Sequence, residues 1–110
     1  MHPEVALLAE FTETAANLLA GCGESAWAER LRKDAQRIKN LDFYGVEHLR
    51  SAFGGMGSFN DLVLHPRNGH SITADDVSAE NEKLDELRSK IYSLIGKLYA
   101  EEISAQHAKK

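Results

Sequence analysis

Between residues 77 and 98 apolar side chains fall on one continuous helical arc: Val77, Leu84, Leu87, Ile91, Leu94, Ile95 and Leu98. That spacing predicts one long amphipathic helix over about 74–104, with Tyr92 and Tyr99 flanking its stripe. Thr73 stands three residues before Asp76 and resembles a capping box with Asp in place of Glu. Gly96 inside this helix marks an expected close approach of a second helix. The polar stretch 105–110 is expected to fray. A helix of this kind cannot bury its stripe alone, so the remaining chain has to supply partners.

Two segments meet that need. Over residues 4–20, Leu7, Leu8, Phe11, Ala15, Leu18 and Leu19 share a face, with Val5 at its edge and Glu10, Glu13 and Asn17 opposite. Pro3 suits the first turn, and Gly21 and Gly23 lie where a left-handed cap residue is expected. A second helix from Ser25 to about residue 39 or 40 places Trp27, Leu31, Ala35 and Ile38 together. The glycine-containing joint between them is short, which makes them antiparallel neighbours. A third, shorter helix over 43–52 has Asp42 as N-cap, and Gly45 in its first turn weakens it. Leu8, Phe11, Trp27, Leu31, Leu84, Leu87, Ile91 and Leu94 are the expected core.

The helical pattern stops between residues 53 and 73, where four of the eight glycines fall. Asp61-Leu62-Val63-Leu64 reads as a short strand, turned by Pro66-Arg67-Asn68-Gly69 and answered by His70-Ser71-Ile72-Thr73. A short helix capped by Ser58 is the competing reading. The expected fold is therefore mainly α: a small helical bundle with a long C-terminal helix and a Gly-rich loop, with a short β-hairpin as one form of that loop. With 110 residues the chain fits a single domain, 1–110, helical over 1–52, Gly-rich over 53–73 and helical again over 74–104.

Residues 53–64 read Phe-Gly-Gly-Met-Gly-Ser-Phe-Asn-Asp-Leu-Val-Leu. They resemble the signature of a family of small, uncharacterised bacterial proteins that share a GGMGS-[LF]-ND-LV core after helices carrying a tryptophan near the position of Trp27. The resemblance spans roughly residues 25–64. Some members are similar to immunity-type proteins that neutralise a partner toxin, so the resemblance implies a protein partner.

Two readings of the loop stand side by side. In one, Gly55, Met56, Gly57, Ser58, Asn60 and Asp61 form a binding loop with exposed amides and Met56 as an adaptable apolar contact. In the other, the segment is a tight connection that folds onto the helices and buries Phe53, Phe59, Leu62 and Leu64. No P-loop or dinucleotide fingerprint fits: no lysine follows the loop, and Asn60 stands where a third glycine is required.

Charge narrows the function classes. The net charge of −4 argues against general nucleic-acid binding through phosphate neutralisation. Asp75, Asp76, Glu80, Glu82, Asp85 and Glu86 stand against Lys83 alone in residues 75–86. The helix N-terminus accounts for the first of these carboxylates and not for Asp85 and Glu86, two turns further in. Asp76, Glu82, Asp85 and Glu86 are thus the expected contacts for a basic partner. The basic run over 30–39 reads as the solvated outer face of the second helix.

Catalytic signals are weak. Asp61, His65 and His70 are close enough in sequence for a metal-dependent hydrolase, but no zinc motif is present. His48 has Asp42 and Glu47 as neighbours in sequence for a surface pair. Cys22, the one cysteine, falls at a helix C-terminus, which raises a thiol pKa rather than activating it. No catalytic residue, cofactor or metal is expected. The leading expectation is a non-enzymatic protein-binding module, an immunity-type inhibitor of a toxin with a basic surface. The alternative is a small-ligand or anion-binding regulator using the amides of residues 54–58. The chain has no secretory-type start and no long apolar run, which points to the cytoplasm. The heptad-like row Val77, Leu84, Ile91 and Leu98 also offers a seam for a homodimer through the C-terminal helix.

Overall fold

The computed structural model describes residues 3–54 and 58–108, with side chains as far as residue 102. It contains helices α1 (Pro3–Gly21), α2 (Ser25–Lys39), α3 (Phe43–Ser51) and α4 (Val77–Ala108). Between α3 and α4 lie three single 3₁₀ turns: Phe59–Asp61, Pro66–Asn68 and Ala74–Asp76. α1 packs against both α2 and α4, and α3 packs against α2. No helix among the described residues is long and apolar enough to cross a membrane.

Of the two glycines expected to cap α1, Gly21 is its last helical residue and Gly23 is the cap. Gly23 takes the left-handed conformation at φ 79°. The Glu24 amide donates to the Leu19 carbonyl at 2.8 Å, and that of Gly23 to Ala20 at 3.1 Å, which closes the last turn of α1. Asp42 caps α3 by accepting from the Tyr44 amide at 3.0 Å. Gly45, which weakens α3 by propensity, is there for packing. A Cβ on it would stand 2.7 Å from the Cβ of Arg37 and 3.0 Å from the Asp34 carbonyl oxygen. The α2–α3 crossing is therefore closed to any larger residue.

Leu8, Leu31, Leu84 and Ile91 are buried together with Leu19, Ile38, Leu49 and Ile95. Phe11, Trp27, Leu87 and Leu94, also expected in the core, are half-buried around it. Leu7 is a correction. It is 41% exposed, because α1 turns Leu8, Ala9, Thr12, Ala15 and Ala16 inward instead. Thr12 is tolerated there because its hydroxyl donates to the Leu8 carbonyl at 2.7 Å. Leu84, Ile91 and Leu98 lie in the chain's own core, so a seam for a second copy would need another face of α4.

Three further expectations are corrected. Gly96 has nothing within 4 Å of a Cβ built on it, so it marks no close helix approach. α4 continues to Ala108, beyond the expected stop at 104. Thr73 donates to the Asp76 carboxylate at 2.9 Å, so these two side chains bond each other rather than capping the backbone.

The hairpin does not form, and no strand is present among the described residues. Its turn is real: Pro66–Asn68 is capped by Gly69 at φ 81°. The two arms find other partners. The Leu64 amide donates to Asn81 Oδ1, and Asn81 Nδ2 donates to the Leu64 carbonyl, both at 2.8 Å. The side-chain amide of Asn81 thus occupies the groups a neighbouring strand would have used. The other arm docks on the α1–α2 joint, where the Ser71 amide donates to the Cys22 carbonyl at 2.8 Å.

Candidate functional site

The polar groups around the Gly-rich segment are organised by Arg88, a residue with no role in the sequence reading. Arg88 is buried although charged. Its Nη1 donates to the carbonyls of Phe59 at 2.6 Å and Leu62 at 2.9 Å, and its Nη2 pairs with Asp85. Its guanidinium also lies 5.7 Å from the centre of the Phe59 ring. Phe59 is fully buried and packs on Trp27 at 5.3 Å and Phe53 at 5.4 Å. Burying such a ring contributes about 2–3 kcal/mol, so Phe59 and Arg88 together tie the segment to α4. The segment does fold onto the helices: Phe59 and Leu64 are buried, and Phe53 and Leu62 are half-buried.

Gly55, Met56 and Gly57 lie outside the described residues. Ser58 is turned inward, with its hydroxyl buried and without a hydrogen-bond partner among the described residues. Asn60 and Asp61 are exposed, and Asn60 donates to the Phe53 carbonyl at 3.4 Å. Asn60 and Asp85 line one open hollow of about 480 Å³ with Phe53, Arg88, Ser89 and Tyr92. Tyr92 is 56% exposed and packs on Phe53 at 5.3 Å. Glu82, Asp85, Glu86, Ser89, Tyr92 and Ser93 are all exposed, at helical steps that put them on one face of α4 beside this hollow.

The structure brings three of the four expected acidic contacts to that face. Asp76 is elsewhere, lining a separate hollow with Cys22 and Glu80 at the end of α1. The reason is angular: 76 and 80 are one turn apart, whereas 82, 85 and 86 point to the other side. Glu86 pairs with Lys90 at 3.1 Å, and both side chains remain largely exposed. Such a pair is worth little in water and leaves the carboxylate open to a stronger cation.

His48 pairs with neither Asp42 nor Glu47. Its Nδ1 stands 2.7 Å from Asp34, which also accepts from Arg37 at 3.0 Å and is fully buried. Asp34 sits three residues after Leu31 and four before Ile38, on the buried stripe of α2. That position was the available signal. The basic run is more than a solvated face: Lys39 reaches Glu13 at 2.7 Å and Arg32 reaches Asn17 at 3.1 Å, both on α1.

The histidines of the metal reading are engaged locally. His65 Nδ1 accepts from the Arg67 amide at 3.0 Å. His70 accepts from the His65 amide at Nδ1 and faces Glu24 through Nε2 at 3.3 Å. Among the described residues, no three His, Cys, Asp or Glu side chains converge as a metal site. Burial raises the Cys22 thiol pKa above 9.0, with the nearby Glu80 charge adding to the shift. Both effects hold it as an unreactive thiol.

Residues 20–73 match the model of a family described as a domain of unknown function (DUF6966). The match takes in α2, α3 and the segment as far as Thr73, and leaves out α4. No curated protein and no solved structure matches the chain.

Proposed function

We propose that this chain is a non-enzymatic protein-binding module that holds a partner with a basic surface. The reading rests on one observation: Glu82, Asp85 and Glu86 share an exposed face of α4 with Tyr92, beside the hollow that Asn60 and Phe53 complete. Carboxylates at the rim steer and orient a cationic partner, and an exposed tyrosine supplies a rigid contact with few rotamers to freeze. A partner arginine is suited to both, since its guanidinium pairs with carboxylates and stacks on aromatic rings. The immunity-type setting, in which the partner is a toxin, is the biological context suggested by the resemblance of residues 53–64.

Co-purification with the product of an adjacent open reading frame, followed by titration calorimetry, tests the proposal. Glu82→Gln with Glu86→Gln should weaken binding and flatten its salt dependence, and Tyr92→Ala should raise the dissociation rate. Affinity that survives all three changes would remove α4 as the contact face.

A further inference from the structure

The basic run of α2 divides between two sides of the helix. At about 100° per residue, Arg30, Lys33 and Arg37 fall together, and Arg32 and Lys39 fall opposite them. Arg32 and Lys39 reach across to α1. Arg30, Lys33 and Arg37 instead line an open hollow of about 420 Å³ with Ala26, Glu29 and His48. The hollow runs between α2 and α3, and none of these lining residues belongs to α4.

Each of its basic side chains has a partner in the fold and keeps donors for another. Arg30 donates through Nη2 to Ser51 at 3.3 Å, and its guanidinium lies 5.0 Å from the centre of the Trp27 ring. Its Nε is buried and has no hydrogen-bond partner among the described residues. Arg37 donates through Nη1 to Asp34 at 3.0 Å and stands over the Tyr44 ring at 5.2 Å. A guanidinium carries donors on every nitrogen, so these contacts leave both arginines able to hold an oxyanion as well. Lys33 pairs with Glu29 at 3.4 Å, and both side chains are largely exposed. Such a pair is worth little in water, so an oxyanion can take the place of Glu29. His48 meets Asp34 through Nδ1, which leaves Nε2 as the second donor of its imidazolium form. The stacks on Trp27 and Tyr44 hold the two guanidinium groups in place before a ligand arrives, so less rotamer freedom is lost on binding.

We propose that this hollow binds the phosphoryl group of a small soluble ligand, with Arg30, Lys33 and Arg37 as cationic contacts and His48 as a further donor. These donors come from two helices. A tetrahedral oxyanion offers acceptors in several directions, whereas a carboxylate offers them in one plane and meets only part of the set. The charges agree: the cations of Arg30, Lys33 and Arg37 outweigh Glu29 and the buried Asp34. The site is separate from the face that carries Glu82 and Tyr92, and neither needs the other.

The test is a titration of the full chain with sodium pyrophosphate at fixed ionic strength, followed by amide NMR. Saturable shifts should appear at Arg30, Lys33, Arg37 and His48, and succinate should bind about tenfold more weakly. Lys33→Gln should weaken pyrophosphate about tenfold, the scale of one charge-assisted hydrogen bond. Glu29→Gln should strengthen it about threefold by removing the competing carboxylate. Both side chains are largely exposed, so each variant should keep the melting temperature of the parent. Glu82→Gln should leave the shifts in place, which separates this site from the α4 face. Equal affinity for succinate, shifts centred on residues 58–62, or full affinity in Lys33→Gln would each overturn the proposal. So would tighter binding of a glutamate-rich peptide, or flotation of the chain with phosphatidic acid vesicles, since the occupant would then be a protein segment or a lipid surface.

Discussion

The two connections that flank α3 meet the same requirement by opposite means. The α2–α3 joint is short, and it is held by close approach: Gly45 admits the backbone of α2, and Asp42 caps the new helix. The α3–α4 connection is long and, among the described residues, has no regular ladder, so its backbone groups need partners from elsewhere. α4 supplies two of them as side chains, Arg88 to the Phe59 and Leu62 carbonyls and Asn81 to both backbone groups of Leu64. The first joint depends on the absence of a side chain, the second on the presence of two.

This contrast is open to direct attack. The largest effect is expected at Arg88. Arg88→Met keeps much of the side-chain volume but removes donors from two carbonyls and leaves Asp85 without its partner, at a cost of about 3 kcal/mol. Urea unfolding would measure it, and a loss no larger than that of an exposed arginine would show that the segment does not lean on α4. Gly45→Ala comes next, at about 2 kcal/mol, because its Cβ would press on the Arg37 Cβ and the Asp34 carbonyl. An unchanged melting temperature there would mean that α3 can slide away from α2 freely. Asn81→Ala has the smallest global effect, about 1 kcal/mol. Its clearest sign is local: the Leu64 amide should exchange with solvent faster while amides in α2 keep their protection. Uniform loss of protection would instead tie the segment and the bundle into one cooperative unit.

Much of this was legible in the residues. The periodicity of α1, α2 and α4 gave their faces, Gly23 after α1 gave its cap, and Asp42 gave the start of α3. The stripe of α4 also carried its two anchors in plain view, since Asn81 and Arg88 fall at helical steps between Val77, Leu84 and Ile91. A polar residue on an apolar stripe needs a buried partner, and that signal pointed to a segment lying on α4. The hairpin expectation failed because a short apolar run and a good turn indicate an extended chain, not what it pairs with. Asp85 and Asn60 were identified from charge and loop chemistry, whereas Phe53 and Tyr92 enter the same hollow only through packing.

Local chemistry and period, both properties of neighbouring residues, fixed where the helices lie, which sides they bury and where the acidic residues cluster. The tertiary structure alone decided that Asp85 and Tyr92 lie beside Phe53 and Asn60, that His48 meets Asp34 rather than its sequence neighbours, and that Leu41 is left beside an apolar hollow. These depend on contacts between residues far apart in the chain, and such contacts are chosen by the packing of whole helices, which no short window of sequence contains.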